Sequence, residues 1–419
     1  MKFSSILKDP SDRKKYFAIF SLQVAHDLPN ALTSTMAPTL FIKQFGMPLE
    51  YLGLFFLPFV VTAFKWTWAP VVDNVGSDQF GRRKSWLLPL TFCVAAAYIA
   101  IGLVEPGLET LYFIISLLIV KQVFYSTQEI AADAYVIENL KASERGFGSS
   151  VVWIGKEFGQ VIGFAGLLFV ADQYGWRQAF FLAAALFIAF NTPALLRKEP
   201  ARKAVKESQR ANVFSFFKSG LNWRIISIVF VVAFTVQMPV TIIGPFLGDK
   251  GLTLSEIGVV LGIAASLGAI ISLAIASAVI SRIGPKRLAI AMVFIAPFAA
   301  PGFLWAASQE SVTPQIVVLL ILWATICTAP IRMAVYAARI GWTSKNQVGT
   351  DMTIQQSVWF LGYVFSGVFS GILAANVGWT AFFIVNIVLV TAALLYFIRF
   401  HDPIETAVNA MRADTVDPE

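Results

Sequence analysis

Apolar positions follow one another along this chain in stretches of about 20 residues or more, the length a helix needs to cross the hydrocarbon core of a bilayer. The pattern predicts twelve spanning helices, at 16–41, 48–72, 86–104, 110–137, 146–170, 178–196, 223–247, 254–280, 288–307, 312–338, 348–375 and 378–400. Short polar turns separate them, except for one long basic connection that divides the twelve into six and six. The expected organisation is an all-α membrane protein of two pseudo-symmetric six-helix bundles, 1–196 and 223–400, joined by a cytoplasmic linker at 197–222 and ending in a cytoplasmic tail at 401–419.

Composition agrees with this reading: 57% of the 419 residues are hydrophobic, only 14% are charged, and the mean hydropathy is +0.71. A soluble domain of ordinary composition is excluded. The net charge of +7 is explained by topology. Of the 32 Lys and Arg, only Lys43, Arg177 and Lys250 fall in turns on one side, and Lys65, Lys121, Lys156 and Arg332 fall within spans. The rest gather on the other side, which places both termini in the cytoplasm. The first apolar stretch carries His26 and Asp27 and lacks a small-residue cleavage site, so it is expected to remain in the mature protein. Cys93 and Cys327 have no ligand partners nearby in sequence, so neither a disulfide framework nor a metal site is expected.

The two halves echo each other. Gly53 opens the second predicted span and Gly258 the eighth, and each of these spans ends in a short basic turn, Phe80 to Lys84 and Arg282 to Arg287. The run from Tyr174 to Phe181 before the sixth span is matched by Val377 to Phe383 before the twelfth, as expected of a duplicated transporter. Prolines within spans, among them Pro29, Pro58, Pro239, Pro245, Pro297 and Pro330, predict bent helices, and Gly159, Gly163 and Gly166 suit close packing of the fifth span.

A charge at mid-bilayer costs roughly 2.5–3.5 kcal/mol on the insertion scale, so each one needs a partner, water or a purpose. Here polar groups recur at helical spacing. Gln23, Asp27, Asn30 and Ser34 form a stripe on the first span with His26 beside it. On the fourth, Lys121, Tyr125 and Gln128 lie beside Gln122, Glu129 and Asp133; the fifth offers Trp153, Lys156, Glu157 and Gln160. The second half supplies Arg332, Tyr336, Gln356 and Trp359, with Arg339 near the cytoplasmic exit. Ion pairs that only lock the bundle are the alternative for any one of these residues. Taken together they suggest a polar passage. His26, Asp27, Glu129, Asp133 and Glu157 are candidates for proton coupling. Gln23, Asn30, Lys121, Tyr125, Gln128, Trp153, Lys156, Gln160, Arg332, Tyr336, Gln356 and Trp359 are candidates for holding a solute, with Arg332 suited to a carboxylate or phosphate. Lys65, Asp73, Arg82, Arg83 and Lys84 form a candidate cytoplasmic gate, since Asp73 can pair with the arginines and clamp that side shut.

The loop with Asp73 followed by Gly81-Arg82-Arg83-Lys84 resembles that of the major facilitator superfamily. Tyr51-Leu52-Gly53, Lys65 to Asp73, Phe80 to Trp86 and Thr127 to Ala134 are similar to its peptide and acetyl-coenzyme A transporter branch, over about 50–180. That branch includes muropeptide permeases, acetyl-coenzyme A carriers and inner-membrane siderophore importers. The compact length and the run Gly76 to Trp86 look more like the siderophore importers, whereas Gly155-Lys156-Glu157-Phe158-Gly159 departs from the branch pattern in the fifth span. The resemblance implies a proton-coupled importer in the bacterial inner membrane, working by alternating access on a siderophore or, alternatively, a muropeptide, peptide or acyl-coenzyme A type of solute; drug efflux is a further alternative. An intramembrane enzyme or sensor is the rival of another class, and no His-Glu-x-x-His, Gly-x-Ser-x-Gly or Walker motif supports it. The expected partners are a small-molecule solute, protons and the lipid bilayer. No cofactor, metal or nucleic acid is expected, and the chain is expected to act as a monomer.

Overall fold

In a computed structural model the described residues, 10–77, 79–140, 145–199, 216–343 and 348–414, are helical or in short turns, with no strand among them. Most of the predicted linker, the end of the predicted tail and Asp78 of the basic loop lie outside these residues. Helices are what apolar segments form where no water can satisfy the backbone. In chain order they are α1 (Pro10–Asp27), α2 (Ala37–Lys43), α3 (Pro58–Phe64), α4 (Ala69–Asn74), α5 (Lys84–Leu103), α6 (Leu111–Asn139), α7 (Arg145–Val161), α8 (Leu168–Tyr174), α9 (Trp176–Leu196), α10 (Gly220–Asp249), α11 (Leu254–Val259), α12 (Ala265–Ile295), α13 (Ala300–Ser308), α14 (Pro314–Gly341) and α15 (Val348–Asp414).

Nine stretches among the described residues are long and apolar enough to cross a membrane. The predicted eighth and ninth spans share one stretch, Leu254–Ser308, which turns at Gly284 with φ of 79°. The predicted eleventh and twelfth share Asp351–Ala410, which turns at Gly378 with φ of 75°. A side chain would be strained at either backbone position, so glycine allows the turn. The predicted first span is divided: α1 ends at Asp27, a wide π-helical turn occupies Leu32–Met36, and α2 follows. Pro29 causes the break, because it has no N–H to donate back along the helix.

The described residues form two compact units, the first drawn from 1–47, 67–203 and 253–266, the second from 48–66, 204–252 and 267–419. These units exchange two segments relative to the expected bundles. Glycines explain the exchange. In the second unit a Cβ on Gly53 would sit 2.7 Å from Val368, one on Gly367 2.4 Å from the Phe56 ring, and one on Gly371 2.5 Å from the Leu49 carbonyl. In the first, Gly258 meets the Phe164 carbonyl at 2.2 Å and Gly262 the Ala165 nitrogen at 2.9 Å. Only glycine lets backbones approach so closely. The second unit encloses a large apolar core that includes Ile228, Val232, Met292, Ile331, Val335 and Phe397; the first has a smaller cluster around Leu22, Leu87, Ala131 and Tyr135.

Candidate functional site

The first unit builds its polar centre around the break after α1. Losing regular helix frees carbonyls, and buried carbonyls need donors. Tyr125 on α6 supplies one, its hydroxyl donating to the His26 oxygen at 2.5 Å, while Ser34 donates to the Asn30 oxygen at 2.7 Å. α7 packs tightly on the same stretch. Cβ atoms on Gly155, Gly159 and Gly163 would lie 2.7, 2.7 and 2.2 Å from the carbonyl oxygens of Phe20, Val24 and Leu28. The expected glycine seam is thus shifted: Gly155 belongs to it, whereas Gly166 meets nothing nearer than 3.8 Å.

This seam sets Lys156 and Glu157 near Asp27. Lys156, Glu129, Glu157 and Asp133 all lie within electrostatic reach of the Asp27 carboxylate. Asp27, Asn30, Glu129, Lys156, Glu157 and Gln160 are half-buried, and Asp133 is exposed. Three further acids and one lysine thus lie within electrostatic reach of the Asp27 carboxylate.

Other candidates on these helices sit elsewhere. Gln128 is fully buried and donates to Thr91 at 2.7 Å and Asn191 at 3.2 Å, tying α6 to α5 and α9. Gln23 and His26 are also buried, the former against Gly155, and Trp153 is half exposed. Lys121 is buried with its ammonium on the Gln122 side-chain oxygen at 2.7 Å, and 5.7 and 5.3 Å from the ring centres of Tyr98 and Tyr125. Aromatic faces and an amide hold this cation, with no carboxylate among the described residues in ion-pairing range.

In the second unit α14 carries Arg332, Tyr336 and Arg339 along one face. Arg332 and Tyr336 are exposed; Arg339 is 2% exposed and bonds to the side-chain oxygens of Gln355 and Gln356 at 3.3 and 3.1 Å. Lys250, bonded to the carbonyl oxygens of Ala307 and Gln309, is buried in this half, and so is Arg339. Its place three residues from the end of an apolar run makes it read as a boundary charge, and only the packing of α15 reveals its burial. Trp359 packs against the apolar core.

The arginines and the aspartate expected to form a cytoplasmic gate come together within the first unit. Arg83 is 4% exposed and donates to Asp73 at 2.8 Å, to the Val72 carbonyl at 3.3 Å and to Glu138 at 2.7 Å. Arg82 pairs with the same Glu138 and donates to the Asp73 carbonyl at 3.0 Å. Burial opposes the charge on Arg83, but the bonds to Glu138 and Asp73 outweigh it and hold its pKa above the ordinary value. Glu199 accepts from the backbone nitrogens of Arg83 at 3.1 Å and Lys84 at 2.6 Å, capping the start of α5. Gly81, at φ of 109°, makes room for it, since a Cβ there would lie 2.9 Å from the Glu199 carboxyl carbon. Sequence reasoning did not reach Glu138 or Glu199. Lys65, expected to join this gate, belongs to the second unit.

The sequence model of the Major Facilitator Superfamily matches residues 19–340, and the chain belongs to that family. It is 24% identical to the anhydromuropeptide permease of Escherichia coli (strain K12) over 400 residues, covering 93% of this chain and 80% of that protein. It is 25% identical to putative transporter AmpG 4 of Rickettsia conorii over 422 residues, covering 94% and 97%. Among solved structures, a bacterial homolog of the human lysosomal transporter Spinster, inward-facing and unoccupied, superposes with a TM-score of 0.71 at 14% identity over 98% of this chain and 100% of the other. A POT family transporter in complex with 5-aminolevulinic acid gives 0.68 at 13% identity, over 94% and 96%. These two establish the fold.

Proposed function

We propose that this chain is a proton-coupled importer of muropeptides in the bacterial inner membrane. The observation that carries the coupling is the group of Glu129, Asp133, Glu157 and Lys156 within electrostatic reach of Asp27, half-buried or exposed beside the broken α1. Carboxylates within electrostatic reach of one another favour taking up a cation, and a proton is the cation that carboxylates bind without further ligands. The break at Pro29 supplies the joint on which the site opens to alternate sides. The solute class is supported by the two relatives above, which carry the names of an anhydromuropeptide permease and a putative transporter AmpG 4. The siderophore expectation receives no support from them.

The test is uptake of a labelled anhydromuramyl tripeptide into proteoliposomes, with and without an inward proton gradient. Accumulation above the external concentration, driven by the gradient and competed by unlabelled muropeptide but not by ferric siderophore, is the expected result. Equilibration indifferent to the gradient rejects the symport, and competition by the siderophore alone rejects the solute.

A further inference from the structure

The second unit contains a buried cation with no counterion among the described residues. Arg339 is 2% exposed, and no carboxylate among the described residues lies within ion-pairing distance of it; its bonded partners are the oxygens of Gln355 and Gln356. Asp351 is buried one turn before Gln355 on α15, yet outside that distance. Amide oxygens satisfy some of the five guanidinium donors but leave the charge uncompensated, a costly state for a buried group. A second orphan adjoins it. Gln355 is fully buried, its oxygen is occupied by Arg339, and its side-chain nitrogen has no hydrogen-bond partner. A cation and a bare N–H donor side by side both lack the same thing, an anionic acceptor.

Neighbours of this spot keep some exposure. Tyr336, 41% exposed, places its ring 5.8 Å from the Arg339 guanidinium, and Gln356 is half-buried. Arg332, two turns back on the same face of α14, is exposed. A face with arginines at both ends is suited to water rather than to hydrocarbon.

We propose that Arg339, Gln355 and Gln356 form the receiving site for the carboxylate of a peptide-type solute, with Tyr336 as its movable cover; this deepens the transport reading and rests on it. The carboxylate would accept from the guanidinium and from the Gln355 nitrogen, neutralising the one and satisfying the other. Arg332, the anion receiver expected from sequence, would then guide the solute from the exposed part of the same face.

The experiment uses the full-length chain in detergent, with N-acetyl-alanyl-alanine and its C-terminal amide as probes, read by the shift in thermal unfolding midpoint. The acid should act at concentrations at least about tenfold lower than the amide, the worth of a charge-assisted hydrogen bond. Arg339→Gln should abolish that preference and Arg339→Lys retain part of it. Gln355→Leu, which keeps the charge, should reduce it about threefold. A wild-type chain indifferent to the carboxylate, or an Arg339→Gln chain that still prefers it, overturns the site. Should Arg339→Gln fail to fold, the acid-to-amide ratio of the wild type and of Gln355→Leu decides. Preserved acid preference without uptake of the anhydromuramyl tripeptide supports the site and sinks the muropeptide reading, whereas uptake without acid preference does the reverse.

Discussion

The two compact units each bury a cation held by amide oxygens and an aromatic face, Lys121 in the first and Arg339 in the second, but differ in the acids they gather. In the first, Glu129, Asp133, Glu157 and Lys156 lie within electrostatic reach of Asp27, and each keeps some exposure. In the second, Arg339 is buried and bonded to two amide oxygens, with the Tyr336 ring beside it. The first arrangement brings several carboxylates within electrostatic reach of one another, none of them fully buried. The second has a fixed positive charge that no titration near neutral pH removes. One is suited to gaining and losing a proton, the other to gaining and losing an anion. A carrier that couples the two needs both.

The most severe way to break this contrast is Asp27→Asn. An inward gradient of two pH units lets a one-proton symporter concentrate its solute up to about 100-fold, because each unit is worth about 1.4 kcal/mol. Asp27→Asn should bring accumulation down to equilibration while solute exchange persists, and a variant that still concentrates removes Asp27 from the coupling site. Next comes Gly163→Leu, which drives a side chain into the Leu28 carbonyl and separates α7 from α1. Overpacking of that kind costs about 1–3 kcal/mol, visible as a lower unfolding midpoint or loss of monodisperse protein. Gly166→Ala should change neither, since its surroundings are open. Arg83→Ala removes the donor shared by Asp73 and Glu138. Losing bonds of this type costs about 1–3 kcal/mol, and the transport rate should fall about tenfold, with Arg83→Lys intermediate. The smallest effect belongs to Gln128→Leu: about 1 kcal/mol of stability from its lost bonds to Thr91 and Asn191, with uptake unchanged. A collapse of uptake in that variant would return Gln128 to the solute path.

Much of the helical frame was legible in hydropathy, and the bend at Pro29 was legible in the missing donor of one residue. The glycine echo was also informative: Gly53 and Gly258, matched by position in the two halves, are both close-contact points, against Val368 and Phe164. What sequence spacing does not contain is the partner across space. It placed Asp27 and Glu157 each on a polar stripe, but their proximity depends on which glycines face α1, and Gly155 rather than Gly166 does so. It ranked Arg332 above Arg339 by distance from the helix end, whereas burial is decided by α15. Glu138 and Glu199 are separated from Arg83 by 55 and 116 positions, beyond the reach of any local pattern.

The exchange of residues 48–66 and 253–266 between the units has a consequence for biosynthesis. Neither body can be finished from its own end of the chain. The first stays incomplete until residue 266 has emerged from the ribosome, well after the linker has been made, and the second incorporates a strip laid down among the earliest residues translated. Severing the gene at the linker would therefore yield two fragments that each lack a part only the other can supply, so they should accumulate when co-expressed and be degraded when produced alone.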